Sequence, residues 1–261
     1  ILSGFLLGIA MQLHYLALFL GAIIIVYVCI SRLHPFGPSS GRGLDKSVTF
    51  TKKVFKMIRN YTFILLGFII GWSTFLAFEI RHGFPNILSI FNFIFRSQET
   101  AGNSHFFKTI NDVFFRLFGR LLTNFPAPEK ISSWTKIDIA LWYNFTLFLG
   151  IASVLVLVFK WVRAYKRDSL DFNKFSLILV WLALGVGLFG FYKKSIYDYY
   201  FGFMFPLPFF IVGIFLVSLW KSKFGKAISI LVLISILWLN YLGAPYKASA
   251  NRQLYQTETI S

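Results

Sequence analysis

Apolar runs close to the length needed to cross a bilayer follow one another along most of the chain, parted by short polar breaks. The pattern predicts a short helix over residues 1–13, then spans near 15–32, 61–78, 139–160, 175–192, 199–220 and 226–243. That is about seven membrane helices or half-helices. Between the first two runs stand only His14 and Tyr15, so either the chain turns tightly there or one long helix runs through. The expected fold is an all-α integral membrane protein, with a multi-span domain over 1–243 and a tail over 244–261.

Two stretches break the simple alternation. In "SHFFKTINDVFFRLFGRLL", Phe107, Ile110, Phe114, Leu117, Phe118 and Leu121 recur at helical spacing, while Lys108, Asn111, Asp112, Arg116 and Arg120 fill the other faces. Such a helix, near 105–122, is expected to lie flat in the membrane interface. Residues 87–95, "ILSIFNFIF", are too short to span and read as a second interfacial or re-entrant piece. Both belong to one long connection that ends at the proline-containing "NFPAPEK".

Composition confirms the solvent. The chain is 57% hydrophobic and 20% aromatic, with 33 Phe, well above a soluble domain. It opens on Ile1 with no initiator Met and no basic segment before the apolar run, so it does not read as a signal peptide and is expected to be a fragment of a longer protein. The single cysteine, Cys29, allows no intrachain disulfide and no thiolate metal cluster.

A net charge of +16 would suggest nucleic acid in a soluble protein, but here the cations lie between the spans, where they set topology. No nucleic-acid partner is expected. Arg32, Arg42, Lys46, Lys52, Lys53, Lys56 and Arg59 against Asp45 mark 32–60 as cytoplasmic. Lys160, Arg163, Lys166, Arg167 and Lys174 do the same for 160–174, and Lys221, Lys223 and Lys226 for 220–226. Alternation then puts the His14 corner, 79–138, 193–198 and the tail after 243 outside an inner (plasma) membrane. Within the first basic segment, "TFTKKVFKMIRN" reads as a basic amphipathic helix, serving either as a topology anchor or for recognition of anionic headgroups.

The four histidines are dispersed, and no metal-ligand spacing or phosphate-binding glycine loop occurs, so no cofactor is evident and a divalent metal has no support. The pair Gly4 and Gly8, and Gly185, Gly187 and Gly190, read as sites of close helix packing. Asn60-Tyr61-Thr62 and Asn144-Phe145-Thr146 match the glycosylation acceptor pattern by chance, on this topology. The groups left over gather on the expected outer side: His14; Glu79, Arg81 and His82; Lys193, Lys194, Tyr197 and Tyr200. Ionisable groups at membrane depth are costly and invite a functional explanation. Lys and Tyr at span ends also serve as plain interfacial anchors, and Glu79 can simply pair with Arg81 and His82. As a set, the cations suit a phosphate or diphosphate, the tyrosines a sugar, and the apolar spans a lipid tail.

The segments "GFLLGIAMQLHYLALFL", "FLAFEIRHGFPN" and "YDYYFGFMFPLPFFIVG" resemble the C-terminal membrane half of bacterial GT-C glycosyltransferases. The nearest group is protein-mannosyltransferase-like and includes the lipid A aminoarabinose transferases. The resemblance implies transfer of a sugar from a polyprenyl-phosphate donor to an extracytoplasmic acceptor. Membrane lipids and the lipid-linked donor are the implied partners. It also implies an acidic general base in an outer loop ahead of the segments matched here, so no catalytic residue is assigned in this chain. Family members carry a Lys where this chain has His14. A lipid or polysaccharide transporter also needs cations and aromatics beside an apolar groove, but no inverted repeat is apparent. A noncatalytic membrane scaffold is the third reading.

Overall fold

A computed structural model describes residues 1–13, 16–33, 46–95, 103–126, 135–167, 171–192 and 196–244. All regular structure among these residues is helical, with no strand. In chain order the helices are α1 (Leu2–Leu13), α2 (Ala17–Leu33), α3 (Lys46–His82), α4 (Pro85–Phe95), α5 (Asn103–Phe115), α6 (Lys136–Lys166), α7 (Asp171–Gly187), α8 (Pro206–Leu219) and α9 (Lys223–Gly243). A π-helix, Arg116–Leu122, continues α5, and 3-10 turns occupy Leu188–Phe191 and Asp198–Met204.

Among the described residues, four stretches are long and apolar enough to cross a membrane: Thr51–His82, Lys136–Lys166, Asp171–Phe191 and Lys223–Gly243. A fifth crossing arises if Asp198–Met204 and Pro206–Leu219, bent by 54°, count as one. Pro206 stands first in α8, where its missing N–H is harmless inside the new helix but cannot extend the 3-10 turn before it. The chain is therefore a membrane protein. Large apolar side chains such as Leu231, Ile234 and Leu237 stand exposed along α9, as helices facing lipid do.

The described chain divides into two compact units, one of Ile1–Phe114 with Leu155–Leu207, the other of Phe115–Val154 with Pro208–Ser261. In the first unit α1 packs along α3 through glycine. Lipid tails give helices no hydrophobic reason to associate, so close backbone approach must supply the attraction. Gly4 and Gly8 of α1 face Ile64, Phe68 and Gly71 of α3, and Gly67 and Gly71 of α3 face Ile1 and Phe5 in return. A Cβ added at Gly8 would lie 2.6 Å from the Phe68 carbonyl oxygen. The seam is thus a four-residue glycine repeat on both helices, of which the sequence reading had only the α1 half. Gln12 extends it, donating to the Gly71 carbonyl and accepting from Thr74 Oγ1 at 2.7 Å.

These contacts make α1 and α3 parallel, and α2 runs the opposite way. Tyr61 at the near half of α3 donates to the Ile25 carbonyl at 2.7 Å. With the Asn60 amide turned so that its oxygen faces Arg32, that oxygen accepts from Arg32 Nε and Nη2, both at 2.9 Å. α1 and α2 are thus two helices of opposite direction and not one long helix.

α7 closes the unit. Phe189 at its end meets Phe19 at the start of α2, with ring centres 5.1 Å apart. At its other end the α6 side chain Trp161 donates to Ser176 at 2.8 Å. Gly185 and Gly190 admit Met204 and Phe106 as expected of packing glycines, but Gly187 has nothing within 4 Å and makes no close approach.

Two predicted elements change form. The basic stretch 49–60 and the span 61–78 are not separate pieces: both lie in the single 37-residue α3. No Gly or Pro interrupts Lys46–Asn60, so nothing in the sequence stops the helix there. The helix near 105–122 keeps α geometry only to Phe115 and then widens to π geometry. The wider turn carries the buried stripe from Val113, Leu117 and Phe118 to Leu122, not to the expected Leu121, and Phe107 stands exposed.

Candidate functional site

Of the candidate side chains, Glu79, Arg81, His82, Tyr197 and Tyr200 lie among the described residues, all in the first unit. The parallel α1/α3 pair puts the end of α1 beside the later turns of α3, and the Phe19–Phe189 contact puts the end of α7 beside the start of α2. Arg32, Lys52, Lys56, Arg59 and Lys174 collect at the opposite end. Within this unit those basic side chains and the described tyrosines after α7 thus stand at opposite ends.

At the end of α3, Gly83 adopts φ 75°, and Phe84 N–H donates to the Glu79 carbonyl at 2.8 Å, closing the helix with a left-handed residue. Phe84 follows at φ 62°, a conformation costly for an aromatic side chain. The Glu79 carboxylate, fully buried, fixes this turn. Its Oε1 accepts from Asn86 Nδ2 at 2.6 Å and its Oε2 from the Ile87 N–H at 3.1 Å. These groups open α4, whose first N–H groups have no partner inside the helix and carry partial positive charge. Glu79 therefore caps α4 from the preceding helix.

This differs from the expected pairing of Glu79 with Arg81 and His82. Steps of about 100° per residue turn positions 79 and 81 to nearly opposite faces. Glu79 points inward and Arg81 outward, exposed. Among the described residues Arg81 has no hydrogen bond or ion pair. His82 stays on its own helix, with Nδ1 2.8 Å from the Phe78 carbonyl oxygen and its ring stacked on Phe78 at 4.2 Å.

The second cluster follows α7. Tyr197 and Tyr199 stack with ring centres 5.7 Å apart and planes only 11° from parallel. Tyr200 stands edge-on to both, 5.7 Å from Tyr197 and 4.6 Å from Tyr199. Tyr192, only 5% exposed, meets Tyr200 edge-on at 5.9 Å and joins the cluster to buried Phe189. Exposure rises outward to 55% at Tyr197 and 66% at Tyr199. The outer rings offer an aromatic face anchored by buried ones, a form suited to sugar C–H groups or an apolar chain. Tyr199 carries that face as much as the predicted Tyr197 and Tyr200. The Tyr-Asp-Tyr-Tyr spacing was its available signal. His14, Lys193 and Lys194 lie outside the described residues. No three His, Cys, Asp or Glu side chains among the described residues group to share a cation.

The second unit contains a polar cluster that the sequence reading missed. Thr123, fully buried, shares a 2.9 Å hydrogen bond with Thr146 of α6 and donates to the Gly119 carbonyl at 2.9 Å. Trp142 Nε1 donates to the Thr123 carbonyl at 3.1 Å. Asn240 of α9 donates to the Leu122 carbonyl at 2.8 Å, and the Asn240 carbonyl accepts from Asn124 Nδ2 at 3.4 Å. Asn124 has φ 51°, and Phe125 N–H returns to the Gly119 carbonyl at 2.9 Å. The carbonyls released where the π-helix ends are thus answered by side chains of α6 and α9. Polar residues inside apolar runs, such as Thr146 and Asn240, were the available signal. The acceptor-pattern residues have structural partners too: Asn60 holds Arg32, and Asn144 Nδ2 donates to the Ala140 carbonyl at 2.8 Å within α6.

Compared with protein-family models, with curated proteins and with solved structures, the chain finds no match in any of the three.

Proposed function

We propose that this chain is the membrane portion of a GT-C-type glycosyltransferase that takes a sugar from a polyprenyl-phosphate donor, with the donor bound at the tyrosine end of the first unit. The observation that carries the reading is the exposed, near-parallel pair Tyr197 and Tyr199, backed by Tyr200 and Tyr192, immediately after Lys193 and Lys194 in the chain. A sugar ring covers such an aromatic face through its C–H groups, while neighbouring cations neutralise the phosphate it is leaving. Arg81 is an exposed cation on α3 at this end, and His14 follows α1 directly in the chain.

In this reading the tyrosine end faces away from the cytoplasm, the basic end faces it, and α1, α2 and the bent segment before α8 complete about seven membrane segments. The acidic base that deprotonates the acceptor hydroxyl belongs to a loop preceding the segments present here. The acceptor oxygen attacks the sugar C1, the C1–O bond to phosphate breaks with inversion, and polyprenyl phosphate leaves with the bonding pair. The residues of this chain bind and orient the donor.

The test uses the purified full-length protein and a polyprenyl-phosphate sugar. Lys194→Ala is expected to weaken donor binding by roughly 1.5 to 3 kcal/mol, the worth of a lost charged hydrogen bond. Lys194→Arg should retain much of it. Wild-type affinity and turnover in Lys193→Ala, Lys194→Ala and Tyr197→Leu alike would reduce the cluster to an interfacial anchor and remove this function.

A further inference from the structure

From its basic start to the middle of the membrane, α3 carries one seam of exposed side chains: Lys52, Lys56, Arg59, Phe63, Leu66 and Ile70. Their spacing alternates four and three, which keeps all six within an arc of about 80° on the helix. The upper three are apolar and lie in a stretch long and apolar enough to cross the bilayer, so they face acyl chains. The lower three are cations on the same line. From Arg59 to Lys52 the helix rises about 10 Å, which begins at the edge of the acyl core and reaches through the headgroup layer.

Helix α6 repeats the arrangement at the same end of the unit. Leu155, Phe159 and Val162 are exposed, and the four-three spacing continues to exposed Lys166, with Arg163 beside it. Contacts within the unit put these two basic ends together: α6 meets the start of α7 through Trp161 and Ser176, and α7 runs antiparallel to α2, whose Arg32 meets Asn60 of α3. Cations needed only to set topology have no reason to keep the azimuth of the lipid-facing side chains. A phospholipid seated on the seam does require it, because its chains and its phosphate lie on one line.

We infer that the basic end of the first unit is a docking surface for anionic phospholipids of the adjoining leaflet, with acyl chains on Phe63, Leu66 and Ile70 and the phosphate on Arg59, Lys56 and Lys52. Exposed Phe55 and Ile58 flank the cations and enter the same headgroup layer, holding the helix against it. This surface is independent of the sugar chemistry assigned to the opposite end.

The full-length protein in phosphatidylcholine nanodiscs, doped with spin-labelled phosphatidylglycerol or phosphatidylcholine, provides the test. The readout is the fraction of each label immobilised at the protein surface. The wild type should favour phosphatidylglycerol, and each seam cation should contribute up to about fivefold, the equivalent of ~1 kcal/mol per basic residue at an anionic surface. Lys52→Gln/Lys56→Gln/Arg59→Gln should lose most of that preference, and high salt should erase it. Lys52→Arg/Lys56→Arg should keep it, and unchanged helix content by circular dichroism guards against misfolding. Lys56→Gln/Met57→Lys keeps the net charge but moves one cation off the seam, and should lower the preference. Equal immobilisation of the two lipids by the wild type would overturn the inference. So would full preference in the triple variant or in the displaced-charge variant, and so would release of the label by millimolar inorganic phosphate, which would mark a soluble-anion site.

Discussion

Among the described residues, two helices end in a left-handed residue, and they dispose of their loose carbonyls and amides in contrasting ways. At the end of α3, Gly83 turns the chain and Glu79, four residues earlier, reaches forward to the first N–H groups of α4. Everything needed lies between positions 79 and 87. At the end of the π-helix, Asn124 makes the turn, but the partners come from α6 and α9, as far as 118 residues away in the chain. The first end leaves Arg81 outward and uncommitted among the described residues, whereas the second turns its polar groups upon one another. Polar residues at membrane depth therefore divide by what they face: a group satisfied by its neighbours holds the fold, and one held outward on a rigid base is available to a ligand.

The comparison breaks most readily at Glu79. Glu79→Ala strips the part-buried Asn86 and Ile87 N–H groups of a charged acceptor and should cost about 2 to 3 kcal/mol. Thermal unfolding in detergent measures the loss, and hydrogen exchange should quicken first at Asn86 and Ile87. Glu79→Gln should recover part of the loss, since an amide oxygen can still accept. Undiminished exchange protection in Glu79→Ala would mean that the cap is incidental.

Thr123→Val is expected to be smaller, about 1 to 2 kcal/mol, because hydrogen bonds between membrane helices average only ~0.6 kcal/mol and three are touched. Combining it with Thr146→Val should cost less than the sum, since the two share one bond. Strict additivity would show that the hydroxyls do not couple. Asn240→Leu should cost about 1 kcal/mol by the same measurement, with no change in donor binding.

The smallest stability effect, within about 0.5 kcal/mol, is expected for Tyr199→Leu, whose ring is mostly exposed. The same variant should nevertheless weaken donor binding several-fold by removing half of the stacked face. A stable protein with unaltered donor binding would move the tyrosines from the ligand class to the anchor class.

Legibility in the sequence followed the range of the interactions. Apolar runs and glycine spacing marked the helices because both act within one helix or between neighbours, so α6, α7 and α9 appear within a few residues of their expected bounds. "FEIRHGFPN" announced its turn through Gly83 and Pro85, but not which way Glu79 would point, since that depends on where α4 begins. The junction at Asn60 was invisible because a basic amphipathic turn and an apolar span share helical geometry and differ only in solvent. The π-helix was hidden for a deeper reason: its stability rests on Trp142, Thr146 and Asn240, none of which a local pattern can connect to Gly119 or Leu122.

The unbroken course of α3 makes it a lever as well as a span. Its 37 residues form a rod of about 55 Å, and rigid coupling along it ties the cations near Lys52 to the capped turn at Glu79. A tilt of about 10° about its midpoint swings each tip by about 5 Å. Bilayer thickness sets the tilt of an overlong helix. Any such tilt moves Lys52 and Arg81, at the two ends of one rod, in opposite directions.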